Sequence, residues 1–100
     1  MNHEDKDARL TREAAADVRV RAALVYIEQA QALIGRATQA LSSVQGICAE
    51  YQKVGRLYDQ IHRTWYVVRD RAAVVRGRGK LTLDHEPTEH EAEYLSVSGR

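Results

Sequence analysis

The side chains best suited to binding a metal ion lie near the end of the chain. The stretch DHEPTEHEAE, residues 84–93, places His85 and His90 among five acidic residues. Imidazole and carboxylate groups together can hold a divalent cation. The His-x4-His spacing matches none of the established ligand patterns, and flexible acidic segments often contain such residues by composition alone. We therefore predict no metal site here.

Asp59 and His62 form the other pair with chemical potential, because they lie one helical turn apart. Carboxylate-bridged metal pairs in helical bundles use a similar spacing, but they need it repeated on other helices, and this chain has no such repeat. The sequence also lacks a glycine-rich phosphate loop, a nucleophile motif and a cysteine pair. Cys48 stands alone on an apolar stripe and is expected to be a small buried hydrophobe. The sequence predicts no catalytic residues, no cofactor and no enzymatic activity.

Basic side chains form a ridge on one face of the second predicted helix. They fall within about 80° of the helix circumference, opposite Trp65, and such a ridge can follow a phosphate backbone. The simpler interpretation is a solvated face in which Asp59 pairs with Arg63 one turn away. It is favoured because the formal net charge of the chain is only +1. Weak nucleic-acid binding is kept as the alternative function, and its residues would be Lys53, Arg56, Arg63, Arg71 and Arg78.

Two apolar ladders predict the helices that position these groups. In each half of the chain, apolar residues recur at alternating steps of three and four, which is the pattern of a heptad seam. The ladders predict helices from about Leu10 to Leu41 and from about Ile47 to Arg76. Their members are Ala16, Val20, Ala23, Ile27, Ala30, Ile34, Ala37 and Leu41 in the first half, and Tyr51, Val54, Tyr58, Ile61, Trp65, Val68, Ala72 and Val75 in the second.

The stretch LSSVQG, residues 41–46, decides between a hairpin and one continuous helix. Its serines can bond neighbouring backbone groups, and Gly46 can adopt the left-handed conformation. A reversal at Val44 would place each large aromatic of the second ladder opposite an alanine, which suits close packing. A continuous helix would instead hold three interior glycines, each destabilising by about 1 kcal/mol. We predict an all-α, antiparallel two-helix hairpin with a coiled-coil-like seam. The facing pairs would be Tyr51 with Ala37, Tyr58 with Ala30 and Trp65 with Ala23.

The chain outside the hairpin differs from it in charge. We expect a flexible N-terminus at residues 1–9, the hairpin at residues 10–76 with its turn at about 42–46, and an acidic, partly ordered C-terminal tail at residues 77–100. Residues 51–80 carry eight basic and two acidic side chains, whereas residues 81–100 carry one basic and five acidic. The tail can therefore compete for the basic ridge.

Apolar residues off the seam imply further packing partners. We take Val25 and Leu33 on the first helix, with Val67 and Val74 on the second, as one partner-binding face. A second copy would cover it by forming a four-helix bundle as a homodimer. A folded-back tail that carries Leu81, Leu83, Tyr94 and Leu95 is the alternative. The dimer is preferred because a polar tail buries little apolar area.

Length and composition bound the functional class. One hundred residues form a single small domain with a thin core, and 44% hydrophobic with 29% charged residues is typical of a helical globular chain. No apolar run approaches the roughly 20 residues of a membrane span, and the charged start MNHEDKDARL lacks the core of a secretory signal. The sequence predicts a cytoplasmic adaptor, regulator or assembly subunit. It would bind itself and another protein, and it would not bind membranes.

Overall fold

The computed structural model describes residues 3–87, and side chains from Ala8 onward. It contains two α-helices, α1 at His3–Leu41 and α2 at Cys48–Gly77, which pack against each other. The described residues include no strand. The predicted all-α class and the two packed helices are therefore confirmed.

The first helix begins at His3, seven residues before the predicted start at Leu10. The stretch from His3 to Arg9 contains no glycine or proline, and its sequence is rich in carboxylates, which are favoured near the positive end of a helix. The prediction followed the apolar ladder, which starts later. It therefore missed a helical segment that has no apolar ladder of its own.

The chain reverses between Ser42 and Ile47. The Ser42 hydroxyl donates to the Gln39 carbonyl at 2.8 Å, and the Val44 amide donates to the Leu41 carbonyl at 3.1 Å. Gly46 has a φ of 91°, in the left-handed region that glycine adopts most readily. Because Gly46 lies just before α2, this conformation directs the chain into α2 rather than ending α1. The reversal excludes one continuous helix, and α2 begins within one residue of its predicted start.

A glycine-based motif ends α2 in the stretch RGRGK. The Lys80 amide donates to the Val75 carbonyl at 3.0 Å, and the Gly79 amide donates to the Arg76 carbonyl at 2.9 Å. With Gly79 at a φ of 70°, this is the Schellman arrangement, which satisfies the last carbonyls of a helix. The helix stop predicted for this stretch is confirmed.

The chain forms two compact units, of which the first joins the residues up to Ala22 to those from Ala72. Among its described side chains, the buried ones are those of Ala15, Ala16 and Ala72. After α2 the chain returns to α1. The Leu83 amide donates to the Arg12 carbonyl at 3.4 Å, and the Arg12 guanidinium donates to Glu86 Oε1 at 2.7 Å.

The return of this segment agrees in part with the alternative of a folded-back tail. Leu81 and Leu83 are half-buried in the first unit. Tyr94 and Leu95, the other two apolar residues of that prediction, lie outside the described residues. The predicted partner-binding residues Val25, Leu33, Val67 and Val74 are exposed.

The second unit, Ala23–Arg71, contains the turn and the packed middle of both helices. The Trp65 Nε1–H donates to the Leu24 carbonyl at 3.0 Å, and Gln31 Nε2 lies 2.8 Å from His62 Nδ1. Tyr58 lies against Gly35. Residues later in α1 contact residues earlier in α2, so the helices are antiparallel in this unit.

The predicted pairing of Tyr58 with Ala30 differs from the contact found. Ala30 is exposed, and the Tyr58 ring lies at Gly35, nearer the turn. Helical side chains lean toward the N-terminus of their own helix, and for α2 that direction is toward the turn. The prediction placed side chains level with their backbones and ignored this lean.

Candidate binding surfaces

The second unit has outward-facing apolar residues on both helices. Gln31 and Trp65 each bond across the helix pair, and a residue two positions further on lies about 160° away around the helix. Leu33 and Val67 therefore face away from the opposite helix. Their side chains are 61% and 65% exposed.

The four residues predicted as one partner-binding face are all exposed, but the three that belong to the second unit do not share one face. Val25 and Leu33 lie on the outside of α1, whereas Val67 lies on the outside of α2, on the far side of the helix pair. Val74 belongs to the first unit and is 45% exposed there. The sequence reasoning identified exposed apolar positions, but it assigned to one face residues that the antiparallel packing separates.

The α1 outer surface is formed by an apolar stripe in the second unit. Tyr26 is 67% exposed, the largest exposed fraction among the exposed large apolar residues, and Leu33 lies two helical turns further along the same face. Ala30 and Ala37, which were predicted to lie in the seam, are exposed as well. We define the α1 stripe as Tyr26, Ala30, Leu33, Ala37 and Ala40.

The α2 outer surface combines Val67 with the basic ridge. Four ridge residues belong to the second unit, and Val67 lies in the middle of their face by helical position. The partner-binding and nucleic-acid predictions for this helix thus describe one surface. Arg78, the fifth ridge residue, belongs to the first unit, where it follows the end of α2. We define the α2 surface as Lys53, Arg56, Arg63, Val67 and Arg71.

The acidic residues among those described do not pair with the cations of the α2 surface. Within residues 8–87, Lys53, Arg56, Arg63 and Arg71 make no ion pair. The interpretation as a solvated face expected Asp59 to pair with Arg63, and that pair is not formed.

An aromatic cluster occupies one side of the second unit. The Arg69 guanidinium lies 5.2 Å from the Trp65 ring centre and 4.9 Å from that of Tyr66, and its Nε donates to Asp70 at 3.0 Å. The rings of His62 and Tyr66 meet edge to face at 5.2 Å. Such cation–π and edge-to-face contacts stabilise packing. The sequence analysis missed Arg69, although its spacing of four from Trp65 is the available signal.

An open groove of about 800 Å³ lies between the helices near the turn. Gly35 and Gly55 contribute no side chains to its walls, while Arg36, Arg56 and Asp59 supply charge. The residues that line it include no histidine, serine or cysteine. Asp59 and His62, the pair considered for a metal site, belong to no metal-binding cluster among the described residues.

The described part of the acidic segment is used for local contacts. The His85 imidazole bonds to Asp84 at 2.6 Å and lowers the pKa of that carboxyl below its ordinary value, through the hydrogen bond and then through charge. Glu86 forms an ion pair with Arg12 rather than with His85. Up to Pro87, no three histidine, cysteine or acidic residues are grouped as metal ligands. His90 and the later carboxylates lie outside the described residues.

The prediction of a buried Cys48 is wrong, because this thiol is exposed at the first residue of α2. The apolar ladder passes through position 48 only if the helix is continuous. Since the chain reverses before it, the residue starts a new helix and falls outside the packed seam.

Neither α1 nor α2, as far as the chain is described, is long and apolar enough to cross a membrane. We compared the chain with known protein families, characterised proteins and solved structures, and no family, protein or structure matches it.

Proposed function

We propose that this chain is a non-enzymatic helical interaction module, an adaptor, regulator or assembly subunit that acts by protein–protein binding and self-association. One observation carries the proposal. The buried hydrophobic residues among those described are three alanines, whereas both helices carry large apolar residues that are between 38% and 67% exposed.

A single copy therefore leaves much of its apolar surface in water. Burial of apolar area is the main favourable term in folding and association, at about 25 cal/mol per Å². Ala15, Ala16 and Ala72 contribute little of it because their side chains are small. Exposed apolar patches on helices mark protein interaction sites. The α1 stripe and Val67 of the α2 surface are the positions where a partner would supply the missing burial.

The test is size-exclusion chromatography with light scattering on the full chain, in low and in high salt. At high loading concentration we expect an average mass above that of one copy, equal in low and high salt, because apolar contacts are not screened. Two variants follow, Val25→Asp with Leu33→Asp on α1 and Val67→Asp with Val74→Asp on α2. At least one should reduce self-association or binding of a partner identified with the wild type. If both leave mass and partner binding unchanged, the proposal is wrong.

Weak nucleic-acid binding through the α2 surface is the second candidate. It is favoured by one observation, namely that four closely spaced cations make no ion pair within the described residues. Arg and Lys at this spacing along about 27 Å of helix can contact successive phosphates. Arg78 would extend the set.

Fluorescence anisotropy with a labelled single-stranded oligonucleotide tests this candidate. Affinity should fall steeply as salt rises, since binding releases counterions from the phosphates. Truncation after Pro87 should strengthen binding by removing acidic residues while keeping the segment that contacts α1. Arg63→Gln with Arg71→Gln should reduce the salt slope. Salt-insensitive binding, or equal affinity with and without residues 88–100, would count against this candidate.

A further inference from the structure

The α1 stripe is uncharged over its whole length. Its five residues, Tyr26 to Ala40, are exposed, and between positions 26 and 40 no Asp, Glu, Lys or Arg shares their face of the helix. Arg36, the nearest charged residue by helical position between residues 26 and 40, lies about 80° from the centre of the stripe. The apolar side chains of the stripe are therefore in contact with water, and no charged side chain lies among them.

The order of large and small residues along the stripe is self-complementary. When two copies of α1 are placed antiparallel about an axis between Gln31 and Ala32, Tyr26 of one stands level with Ala37 of the other. Leu33 then stands level with Ala30 of the other copy. Each large side chain meets a small one, and the symmetry repeats both pairs. This alternation allows facing layers to pack densely without overlap.

Charge also makes the α1 stripe a more favourable contact between two copies than the α2 surface. Pairing of two α2 surfaces would bring four unpaired cations against four more, which is unfavourable. Pairing of two α1 stripes opposes no like charges. A neutral stripe offers a partner only shape and apolar area, and here the shape matches its own.

We infer that two copies of this chain associate through the α1 stripe, with their α1 helices antiparallel about a two-fold axis near residues 31 and 32. This inference rests on the self-association proposed above and specifies its surface. The stripe spans 15 residues, or about 22 Å of helix. One helix pair of this length buries less than the roughly 1,600 Å² of a standard interface, so the dimer dissociates on dilution.

Site-specific cross-linking tests the orientation. In a full-length Cys48→Ser background, which removes the exposed native thiol, Tyr26→Cys and Ala37→Cys are prepared separately. An equimolar mixture should form the mixed disulfide dimer under mild oxidation, because the two positions face each other. Each variant alone should cross-link at least about tenfold more slowly, since identical positions lie about 16 Å apart along the paired helices. Equal cross-linking of each variant with itself would indicate a parallel or non-specific contact and overturn the inference.

Sedimentation equilibrium of single variants tests the surface. Leu33→Asp should weaken the dimer at least about tenfold, because a charge would enter the apolar contact. Leu57→Asp is the matched control, since Leu57 is an exposed leucine of α2 in the same unit and lies outside the α1 stripe, the α2 surface and the predicted partner-binding residues. It should change the dissociation constant less than about twofold. Circular dichroism of both variants establishes that the helices are retained.

The outcomes separate this inference from the function on which it rests. A dimer that survives Leu33→Asp but is lost with Val67→Asp would overturn the α1 stripe and leave self-association intact. A wild type that stays monomeric up to about 500 µM would overturn the stripe as a dimer contact. Partner binding by that monomer would still support the interaction module.

Discussion

Two glycines in the helices have different surroundings, and this difference determines what a methyl group would do at each. A Cβ built on Gly35 would lie 3.1 Å from Tyr58 Cε2, which is closer than ordinary van der Waals contact. A Cβ on Gly55 would meet nothing within 4 Å. Gly35 therefore permits the close approach of a ring from the opposite helix, whereas Gly55 serves no packing contact.

We expect Gly55→Ala to raise the free energy of unfolding by about 0.5–1 kcal/mol, because alanine is the better helix former. Gly35→Ala should gain less than this or lower stability, since the Tyr58 ring must move. Urea denaturation followed by circular dichroism measures both. Tyr58→Ala should restore the gain at position 35. Equal gains for the two glycine variants in the wild-type background would contradict the contact.

At the scale of elements, ionic contacts link the helices in the first unit. The Asp17 carboxylate lies 2.6 Å from Arg76 on α2 and 2.6 Å from Arg21 on its own helix. Its Oδ1 atom is buried and makes no hydrogen bond of good geometry, so the contact with Arg76 is an ion pair. Arg21 is 75% exposed and contributes little.

Asp17→Ala should lower the free energy of unfolding by about 1 kcal/mol, because it leaves Arg76 without its partner. Arg21→Ala should change it by less than about 0.5 kcal/mol, since exposed pairs contribute little. Thermal and urea denaturation of both variants make the comparison. A larger loss for Arg21→Ala than for Asp17→Ala would be inconsistent with the packing of this unit.

The segment after α2 is a second element whose contacts can be tested by truncation. Removal of all residues after Lys80 deletes half-buried Leu81 and Leu83 and the pair of Glu86 with Arg12. We expect this to lower the free energy of unfolding by about 1–2 kcal/mol, mainly through lost apolar burial. The matched truncation after Pro87 retains these contacts and should be less destabilising. If the two truncations are equally stable, the segment does not pack on α1.

The sequence predicted the bounds of the helices better than it predicted which residues of each helix share a face. Apolar spacing located α2 to within one residue at each end, and Gly46 adopts the left-handed conformation that was expected of it. The start of α1 was missed because the first residues of that helix carry no apolar ladder. The Tyr58 side chain leans toward the N-terminus of α2 and so lies against Gly35. The spacing of apolar residues along the sequence does not include the direction of that lean. The separation of Val25 from Val67 follows from antiparallel packing, which a list of exposed positions does not show.

At the scale of the whole molecule, burial is small for a chain of 100 residues. Its buried hydrophobic residues, as far as side chains are described, are three alanines, so a single copy gains little stability from its core. Association that buries the α1 stripe would add to it. We expect the midpoint of thermal unfolding to rise with protein concentration, because a dimer is stabilised by mass action. In Leu33→Asp the midpoint should not depend on concentration.

Sedimentation equilibrium of the full chain from about 10 to 500 µM tests most directly the claim that its exposed apolar surfaces are interaction surfaces. We predict that the average mass rises from that of one copy, 11.3 kDa, toward two, to the same extent in low and high salt. Leu33→Asp should remain near the mass of one copy. A wild type that stays at 11.3 kDa throughout this range would contradict the account of self-association.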